Sequence, residues 1–287
     1  MATLLGPPRP PWIKVRLEDW EAFRRTEEVV GTHGLHTVCH SARCPNIAEC
    51  WSRGTATLML LGNTCTRRCG FCAVPSGSPR SFDADEPRRA ALAVREMGLG
   101  FAVLTSVARD DLPDGGAWVF AETIREIRRL CPGVGVEVLI PDLRGEERDL
   151  DTVFDARPDV LNHNLETVER LQRRVRPSAR YGRSLALLRR AADRGLVAKS
   201  GLMLGLGEGA EEVKAAIRDL RAHGVSMLTV GQYLRPGADH LPVERYATPE
   251  EFDEIGAFAR GLGFRHVVSA PLARSSYHAE EGRPPTP

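Results

Sequence analysis

The sequence lacks the features that would place the protein in a membrane or outside the cell. No apolar run approaches the roughly 18–20 residues that a membrane-spanning helix needs, and residues 1–17 show neither the apolar segment nor the cleavage site of a secretory signal. Net charge is only +1, from 39 basic and 38 acidic residues, so no global excess of basic residues is available for nucleic-acid binding. These absences predict a cytoplasmic protein with neither nucleic-acid nor membrane partners.

Helical and strand-like segments alternate along the chain, which predicts an α/β fold. Apolar strand patterns occur at 57–62, 101–107, 134–140, 159–163, 198–206, 227–234 and 266–270. Helical patterns occur at 17–30, 87–97, 116–130, 149–156, 181–194, 210–223 and 249–262. The last helix has a strong start, with Thr248 as cap, Pro249 in the first position and Glu251 as the capping-box acid. About six βα units fall short of a complete barrel, which usually takes about 250 residues, so we predict a partial (β/α)6 TIM-type barrel of parallel strands.

Cysteine is scarce outside one short stretch, because six of the seven cysteines lie between residues 39 and 72. The first triplet is Cys39, Cys44 and Cys50, and the second is Cys65, Cys69 and Cys72. Disulfides are disfavoured in a chain of this length without a secretory signal. Structural zinc usually takes four ligands from two CxxC-type pairs, and only the segment 69–72 has that form. Closely spaced thiolates favour iron–sulfur clusters, although neither spacing matches that of common ferredoxins.

The second triplet, CxxxCxxC, directly follows a predicted strand and has Phe71 before its last cysteine. This segment resembles the signature loop of radical S-adenosylmethionine (SAM) enzymes. The resemblance implies a 4Fe-4S cluster held by three cysteines, whose open iron binds SAM. It also implies cleavage of SAM to a 5′-deoxyadenosyl radical, with the protein orienting the cofactor and excluding water.

The two triplets together resemble the lipoyl synthase family, and further segments from about Trp12 to Glu281 support this match. These segments are PNIAECW at 45–51, TCTRRCGFC at 64–72, LTSVARDDLPDGGA at 104–117, LNHNLETV at 161–168, VRPSARYGRSL at 175–185, KSGLMLGLGE at 199–208, GQYLRPGADHLPVERY at 231–246 and RSSYHAE at 274–280. Gly70 departs from the pattern, since the family usually has proline there. The departure removes no ligand, although glycine could loosen the loop.

The resemblance implies insertion of two sulfur atoms at carbons 6 and 8 of a protein-bound octanoyl-lysine. The substrate would be a lipoyl carrier domain, either a 2-oxoacid dehydrogenase acyltransferase or the glycine-cleavage H protein, and ferredoxin or flavodoxin would supply electrons. An alternative is another radical SAM sulfur-inserting enzyme, such as a methylthiotransferase or a biotin-synthase-like protein. A zinc-stabilised binding protein is the non-enzymatic alternative. We expect an N-terminal extension at 1–54, a radical SAM barrel at 55–270 and a C-terminal extension at 271–287.

The resemblance also assigns site residues. Cys65, Cys69 and Cys72 would hold the SAM cluster, while Cys39, Cys44 and Cys50 would hold an auxiliary 4Fe-4S cluster that donates the sulfur. The fourth auxiliary ligand would be Ser275 in the RSSY motif, with Ser276 as the alternative. We expect SAM contacts from Phe71 and from residues at predicted strand ends, namely Thr105, Ser106, Asn162, Asn164, Glu166 and Lys199.

Other polar residues have simpler interpretations. Cys131 is expected to be a buried structural thiol. Arg109, Asp110 and Asp111 are expected to form a local ion pair on a loop, and the resemblance implies the alternative that they line the active site. His163 could equally be a packed side chain or a catalytic one. The arginines at 173–183 could form a solvated surface or could dock an acidic carrier domain.

Overall fold

The computed structural model describes residues 7–13, 20–53, 56–79 and 82–282. The strands in these ranges are β1 His36–Thr37, β2 Thr57–Leu60, β3 Phe101–Ser106, β4 Gly135–Leu139, β5 Val160–Asn162, β6 Val197–Leu204, β7 Met227–Gln232 and β8 His266–Ser269. The helices are α1 Trp20–Thr32, α2 Val38–Ser41, α3 Ile47–Ser52, α4 Glu86–Glu96, α5 Ala117–Leu130, α6 Glu147–Asp155, α7 Gln172–Val175, α8 Tyr181–Asp193, α9 Ala210–Ala222 and α10 Pro249–Gly261. In this part of the chain, no helix is both long and apolar enough to cross a membrane.

Strand and helix alternate from β2 onward, as the sequence predicts. The strands β2, β3, β4, β6 and β7 are each followed by one long helix, and β5 is followed by α7 and α8. Six βα units therefore precede the final strand β8, which confirms the predicted α/β class. By its contacts the chain divides into two compact units.

The N-terminal unit comprises Val15–Arg67, Val74–Leu161 and His278–Pro287. In this unit β2, β3 and β4 are parallel neighbours, and β1 pairs with β2 in the antiparallel direction. All four residues of β2 are buried. Burial on both faces is typical of parallel strands covered by helices, and α4 and α5 pack against each other in this unit.

The C-terminal unit comprises Met1–Lys14, Arg68–Ala73 and Asn162–Tyr277. Here β6, β7 and β8 are parallel neighbours. The predicted start of α10 is confirmed, because the Thr248 hydroxyl accepts the backbone N–H of Glu251 and the Glu251 carboxylate accepts that of Thr248. Satisfying both N–H groups at the helix start fixes where the chain turns from the preceding loop into the helix.

The segment that carries the first cysteine triplet is more regular than predicted. We expected residues 31–44 to be an irregular loop, yet this segment contains the end of α1, strand β1 and helix α2. The Thr37 side chain caps α2 by accepting the N–H of His40 at 3.3 Å. A helix of four residues is too short for apolar periodicity to reveal it. The predicted helix at 17–30 corresponds to α1, and residues 17–19 lie outside the described ranges.

Candidate active site

The three cysteines of the first triplet belong to one apolar cluster of the N-terminal unit. Cys39 lies on α2, Cys50 lies on α3, and Cys44 lies in the turn between these helices. The cluster is built around Trp51, which is 1% exposed, and the three cysteines pack into it. The backbone N–H of Cys44 also donates to the carbonyl oxygen of Cys39 at 2.9 Å. The structure therefore brings these three thiols together.

The environment of these thiols disfavours isolated thiolates. Burial, with the charges of Cys44 and Cys39 as smaller causes, raises the pKa of Cys50 to about 12. Burial also raises the pKa of Cys39, with Cys44 again contributing. Because Cys44 contributes to the raised pKa of both Cys39 and Cys50, and Cys39 to that of Cys50, the three sulfurs lie within short electrostatic range. A bound metal ion removes the thiol proton outright, so this donor set fits a thiolate-held iron cluster.

The segment after the RSSY motif is attached to the helix that carries Cys50. On α3, Arg53 Nη1 donates to His278 Nε2 at 3.1 Å, and Glu49 Oε1 lies 3.7 Å from the same nitrogen. His278 Nδ1 donates to Glu281 at 2.7 Å. Three peptide steps separate Ser275 from His278, and an extended chain covers at most about 3.6 Å per residue. Ser275 therefore lies within about 11 Å of His278.

Backbone hydrogen bonds fix Cys65, the first cysteine of the second triplet. Its N–H donates to the carbonyl oxygen of Pro75 at 2.8 Å, and its carbonyl accepts the N–H of Gly77 at 2.9 Å. Its sulfur accepts the backbone N–H of Ala108 at 3.3 Å and that of Arg67 at 3.4 Å. Hydrogen bonds to cysteine sulfur tune iron–sulfur clusters, so Cys65 has surroundings suited to a cluster ligand.

Arg67 anchors the same loop in the N-terminal unit. Its guanidinium donates to Asp110 through Nε at 2.7 Å and through Nη2 at 2.8 Å, and Nη2 also lies 2.6 Å from Asp142. Burial opposes the charge on Arg67, but the two carboxylates reverse this effect and raise its pKa. Asp142 is fully buried, so the arginine is held between the regions that follow β3 and β4.

Residues 69–72 belong to the C-terminal unit and form hydrogen bonds with its other segments. The N–H of Gly70 donates to the carbonyl oxygen of Val175 at 2.8 Å, and the Gly70 carbonyl accepts the N–H of Leu241 at 2.9 Å. His240 Nε2 donates to the carbonyl oxygen of Cys72 at 3.0 Å. Residues 240 and 241 thus hold the backbone on which Cys69 and Cys72 are placed.

The residues expected to contact SAM differ in whether their polar atoms already have hydrogen-bond partners within the protein. The Thr105 hydroxyl donates to the carbonyl oxygen of Leu139 at 2.9 Å, so it already makes a hydrogen bond between β3 and β4. Ser106 has a buried Oγ with no hydrogen-bond partner in the described part of the chain. Asn162 and Lys199 are almost completely buried on β5 and β6, and Phe71 is half-buried.

Asn164 and Glu166 form a polar group with Ser275 in the C-terminal unit. Asn164 Nδ2 donates to Ser275 Oγ at 2.6 Å and to Glu166 Oε1 at 3.1 Å. Burial raises the pKa of Glu166, although Arg176 and the bond from Asn164 favour its charged form. No pattern in the sequence indicated that Asn164 and Ser275 are partners.

Several polar residues have structural roles. The buried His163 bonds to Ser184 at 2.9 Å and is therefore packed. Arg109 pairs with Asp111 at 2.8 Å, as predicted. Cys131 is buried, as expected, and no disulfide links any of the seven cysteines, all of which lie in the described ranges.

Three arginines at or near the predicted basic surface make contacts within the C-terminal unit. Arg170 pairs with Glu212 at 2.7 Å, and Arg174 pairs with Glu244 at 2.8 Å. Arg176 is buried and donates to the carbonyl oxygen of Asn164 at 2.7 Å. These pairings reduce the positive charge that this segment offers to an acidic partner.

Sequence reasoning missed four residues that fix the cysteine loop, namely Arg67, Glu86, Asp142 and His240. The buried Glu86, at the start of α4, accepts the N–H of Leu61 at 2.7 Å, directly after β2. A carboxylate at a helix start has an ordinary interpretation as a favourable charge for the helix dipole. No sequence signal therefore distinguishes it from an exposed first-turn acid.

Comparison with known proteins agrees with this arrangement. The model of the Radical SAM superfamily matches residues 59–220, more than half of the chain. The lipoyl synthase of Rubrobacter xylanophilus is 58% identical over 275 residues, which cover 95% of this chain and 86% of that protein. The lipoyl synthase of Pelodictyon phaeoclathratiforme is 57% identical over 274 residues, with 95% and 93% covered.

Solved structures support the fold alone, because their sequence identities are low. SuiB of Streptococcus suis, bound to S-adenosylmethionine, matches with a TM-score of 0.59 at 9% identity, over 78% of this chain and 53% of SuiB. HydG, a maturase of the FeFe hydrogenase, matches with a TM-score of 0.57 at 15% identity, over 78% and 58%. The six βα units therefore belong to a partial barrel of the radical SAM type.

Proposed function

Because the chain belongs to the lipoyl synthase family of the radical SAM superfamily, we propose that it converts a protein-bound octanoyl-lysine into the lipoyl cofactor. Two sulfur atoms would enter at carbons 6 and 8. The observation that supports this function best is the pair of cysteine triplets. The first triplet is gathered in one apolar cluster, and the second lies on the loop after β2.

The enzyme uses SAM and two 4Fe-4S clusters, and we propose their ligands. Cys65, Cys69 and Cys72 hold the cluster that binds SAM, and Cys39, Cys44 and Cys50 hold the auxiliary cluster. Ser275 is the fourth auxiliary ligand, with Ser276 as the alternative, and this assignment rests on the RSSY motif. When bound, SAM supplies a radical that abstracts hydrogen, and the auxiliary cluster supplies sulfur.

The chain's own residues place and shield these groups. Arg67 and His240 fix the backbone on either side of Cys69. The proposed SAM contacts are Phe71, Thr105, Ser106, Asn162, Asn164, Glu166 and Lys199. Ser106 and Asn164 are best supported among them, because buried polar atoms normally have hydrogen-bond partners and neither Ser106 Oγ nor Asn164 Oδ1 has one in the described ranges.

The substrate is a lipoyl carrier protein, and we propose its finer identity from the chemistry. The carrier is the acyltransferase of a 2-oxoacid dehydrogenase or the glycine-cleavage H protein. Ferredoxin or flavodoxin supplies the electrons, and the reaction takes place in the cytoplasm, where thiolates stay reduced. We also keep the division into extensions at 1–54 and 271–287 around a barrel at 55–270 as a proposal.

Mass spectrometry of an octanoyl-lysine peptide tests the function directly. The reconstituted full chain is incubated anaerobically with the peptide, SAM and dithionite. We expect a gain of two sulfurs, a loss of two hydrogens and formation of 5′-deoxyadenosine. An unchanged peptide with 5′-deoxyadenosine formed would refute the substrate. Absence of SAM cleavage, from protein that carries about eight irons as two 4Fe-4S clusters require, would refute the radical SAM activity.

A further inference from the structure

One side-chain amide joins two motifs that lie 111 residues apart in the sequence. Asn164 belongs to the NHNLET segment, and Ser275 belongs to the RSSY motif. An asparagine amide nitrogen carries two hydrogens, and both are used here, one toward Ser275 Oγ and one toward Glu166 Oε1. Asn164 is only 8% exposed, so water competes little for these bonds.

The neighbours of Asn164 fix the direction of its amide. The Asn164 NH₂ group faces both Glu166 Oε1 and Ser275 Oγ, so one side of the amide makes both contacts. The backbone of Glu166 is held against β6, because its N–H donates to the Gly201 carbonyl and its carbonyl accepts the N–H of Met203, both at 2.9 Å. Arg176 holds the backbone carbonyl of Asn164 at 2.7 Å. These contacts hold the backbone on either side of the amide that faces Ser275.

Gly201, in the KSGLM segment of β6, provides the room for this pair. A Cβ atom at this position would lie 2.8 Å from Asn164 Oδ1 and 3.4 Å from Ser275 Oγ. The first distance is shorter than a van der Waals contact, so any larger residue would push the amide away. Three separate motifs therefore meet at one hydrogen bond.

We propose that Asn164 is a positioning residue for Ser275 Oγ, the proposed fourth ligand of the auxiliary cluster, and that it holds this oxygen whenever the oxygen is not bound to iron. The proposal rests on the proposed function, in which Ser275 is an auxiliary-cluster ligand. A serine oxygen is a harder ligand than the thiolates around it, so it is suited to leave iron. A fixed second partner then prevents the RSSY segment from moving away. Asn164 Oδ1 has no hydrogen-bond partner in the described ranges, and we assign it to a donor group of SAM.

The test compares Asn164→Ala, Ser275→Ala and the double variant with Ser269→Ala as the matched control. Ser269 lies in the same unit and donates a similar hydrogen bond, at 2.7 Å, to the Phe252 carbonyl. Hydrogen–deuterium exchange of residues 272–277 is measured on the cluster-free full chain. Loss of a single hydrogen bond should speed exchange about five- to tenfold in Asn164→Ala. The double variant should exchange no faster than Ser275→Ala, and the control should match the wild type.

A second readout uses Mössbauer spectra of the auxiliary cluster, in a background where Cys65, Cys69 and Cys72 are alanine. Asn164→Ala should shift the spectrum toward that of Ser275→Ala, whereas Ser269→Ala should not. A merely structural role of Asn164 would lower stability without producing this specific change. If Asn164→Ala does not fold, Gly201→Ala displaces the amide without deleting it and should give the same faster exchange.

Each outcome separates this proposal from the proposed function. Wild-type exchange in both Asn164→Ala and Gly201→Ala, or additive effects in the double variant, would overturn the role of Asn164. The proposal would be supported if the double variant exchanges no faster than Ser275→Ala and the Asn164→Ala spectrum shifts like that of Ser275→Ala. An unchanged Mössbauer spectrum in Ser275→Ala would refute the assignment of Ser275 as a ligand. The part of the proposal that concerns iron would fall with it. The exchange rates of the single and double variants would still show whether Asn164 and Ser275 act as a pair.

Discussion

Gly70 lies directly against Leu241, and a Cβ atom on Gly70 would come within 2.8 Å of Leu241 Cδ1. The same glycine donates its N–H to Val175. Both contacts hold the chain between Cys69 and Cys72. The glycine that departs from the family pattern is thus fitted to its neighbours in this chain.

Gly70→Pro should therefore weaken the loop, although it would restore the residue usual in the family. Proline has no N–H to donate, and its ring would displace Leu241. We expect a loss of about 2–4 kcal/mol in unfolding free energy, from the hydrogen bond and the overpacking, together with reduced iron in the SAM cluster. Denaturant unfolding and iron analysis check this. Gly182→Ala is the control, since nothing lies within 4 Å of that position and alanine favours its helix. Unchanged stability in Gly70→Pro would show that the loop adapts freely.

Alanine variants of the two triplets should fail in different ways. Replacing Cys65, Cys69 or Cys72 should abolish SAM cleavage, because we propose that these residues hold the cluster that reduces SAM. Replacing Cys39, Cys44 or Cys50 should leave some 5′-deoxyadenosine formation and stop sulfur insertion. Both groups should retain about four irons of about eight, whereas Cys131→Ala should keep all of them. Lipoyl product from a first-triplet variant would contradict the assignment of the sulfur donor.

Arg67→Lys should destabilise the protein despite the conserved charge. Lysine cannot reproduce the planar two-point contact with Asp110 while also reaching Asp142. Breaking a buried ion pair costs about 3–5 kcal/mol, and thermal unfolding of the cluster-free chain measures the loss. Arg129→Lys is the matched control, because it alters an exposed pair with Glu126 whose contribution to stability should be small. Equal effects of the two changes would refute the anchoring role of Arg67.

Glu86 should make stability depend on pH. Burial raises its pKa above the ordinary value of 4.5, although the N–H of Leu61 and the charge of Arg89 oppose the shift. The folded state therefore binds the Glu86 proton more tightly than the unfolded state. This contribution to stability is present below 4.5 and is lost as pH rises through the folded-state pKa.

The variant Glu86→Gln removes this titration and should gain stability relative to wild type as pH rises from 4 to 7. Glutamine keeps an oxygen that can accept the N–H of Leu61, so the comparison isolates the charge. Unfolding of the cluster-free chain at several pH values measures the difference. Glu28→Gln, an exposed change on α1, is the control. A constant difference between Glu86→Gln and wild type across this range would show that Glu86 does not titrate as inferred.

The strand and helix pattern could be predicted because each βα unit carries its own apolar periodicity. The start of α10 could also be predicted, since its capping residues are neighbours in sequence. The helices around the first triplet could not, because α2 and α3 are short and depend on packing around Trp51. The partnership of Asn164 with Ser275 could not either, since hydrogen bonds between distant segments leave no periodic signal in one sequence.

The bond between Arg53 and His278 joins residues 225 positions apart, and this separation sets an order of events during synthesis. Ribosomes add about 5–20 residues per second, so the helices that carry the first triplet emerge about 10–45 seconds before the tail that attaches to them. Throughout that interval α3, which carries Cys50, lacks its contact with His278. Under the proposed assignment of Ser275, iron delivered to the nascent chain would meet an incomplete set of ligands, so productive loading should follow synthesis of the C-terminal segment.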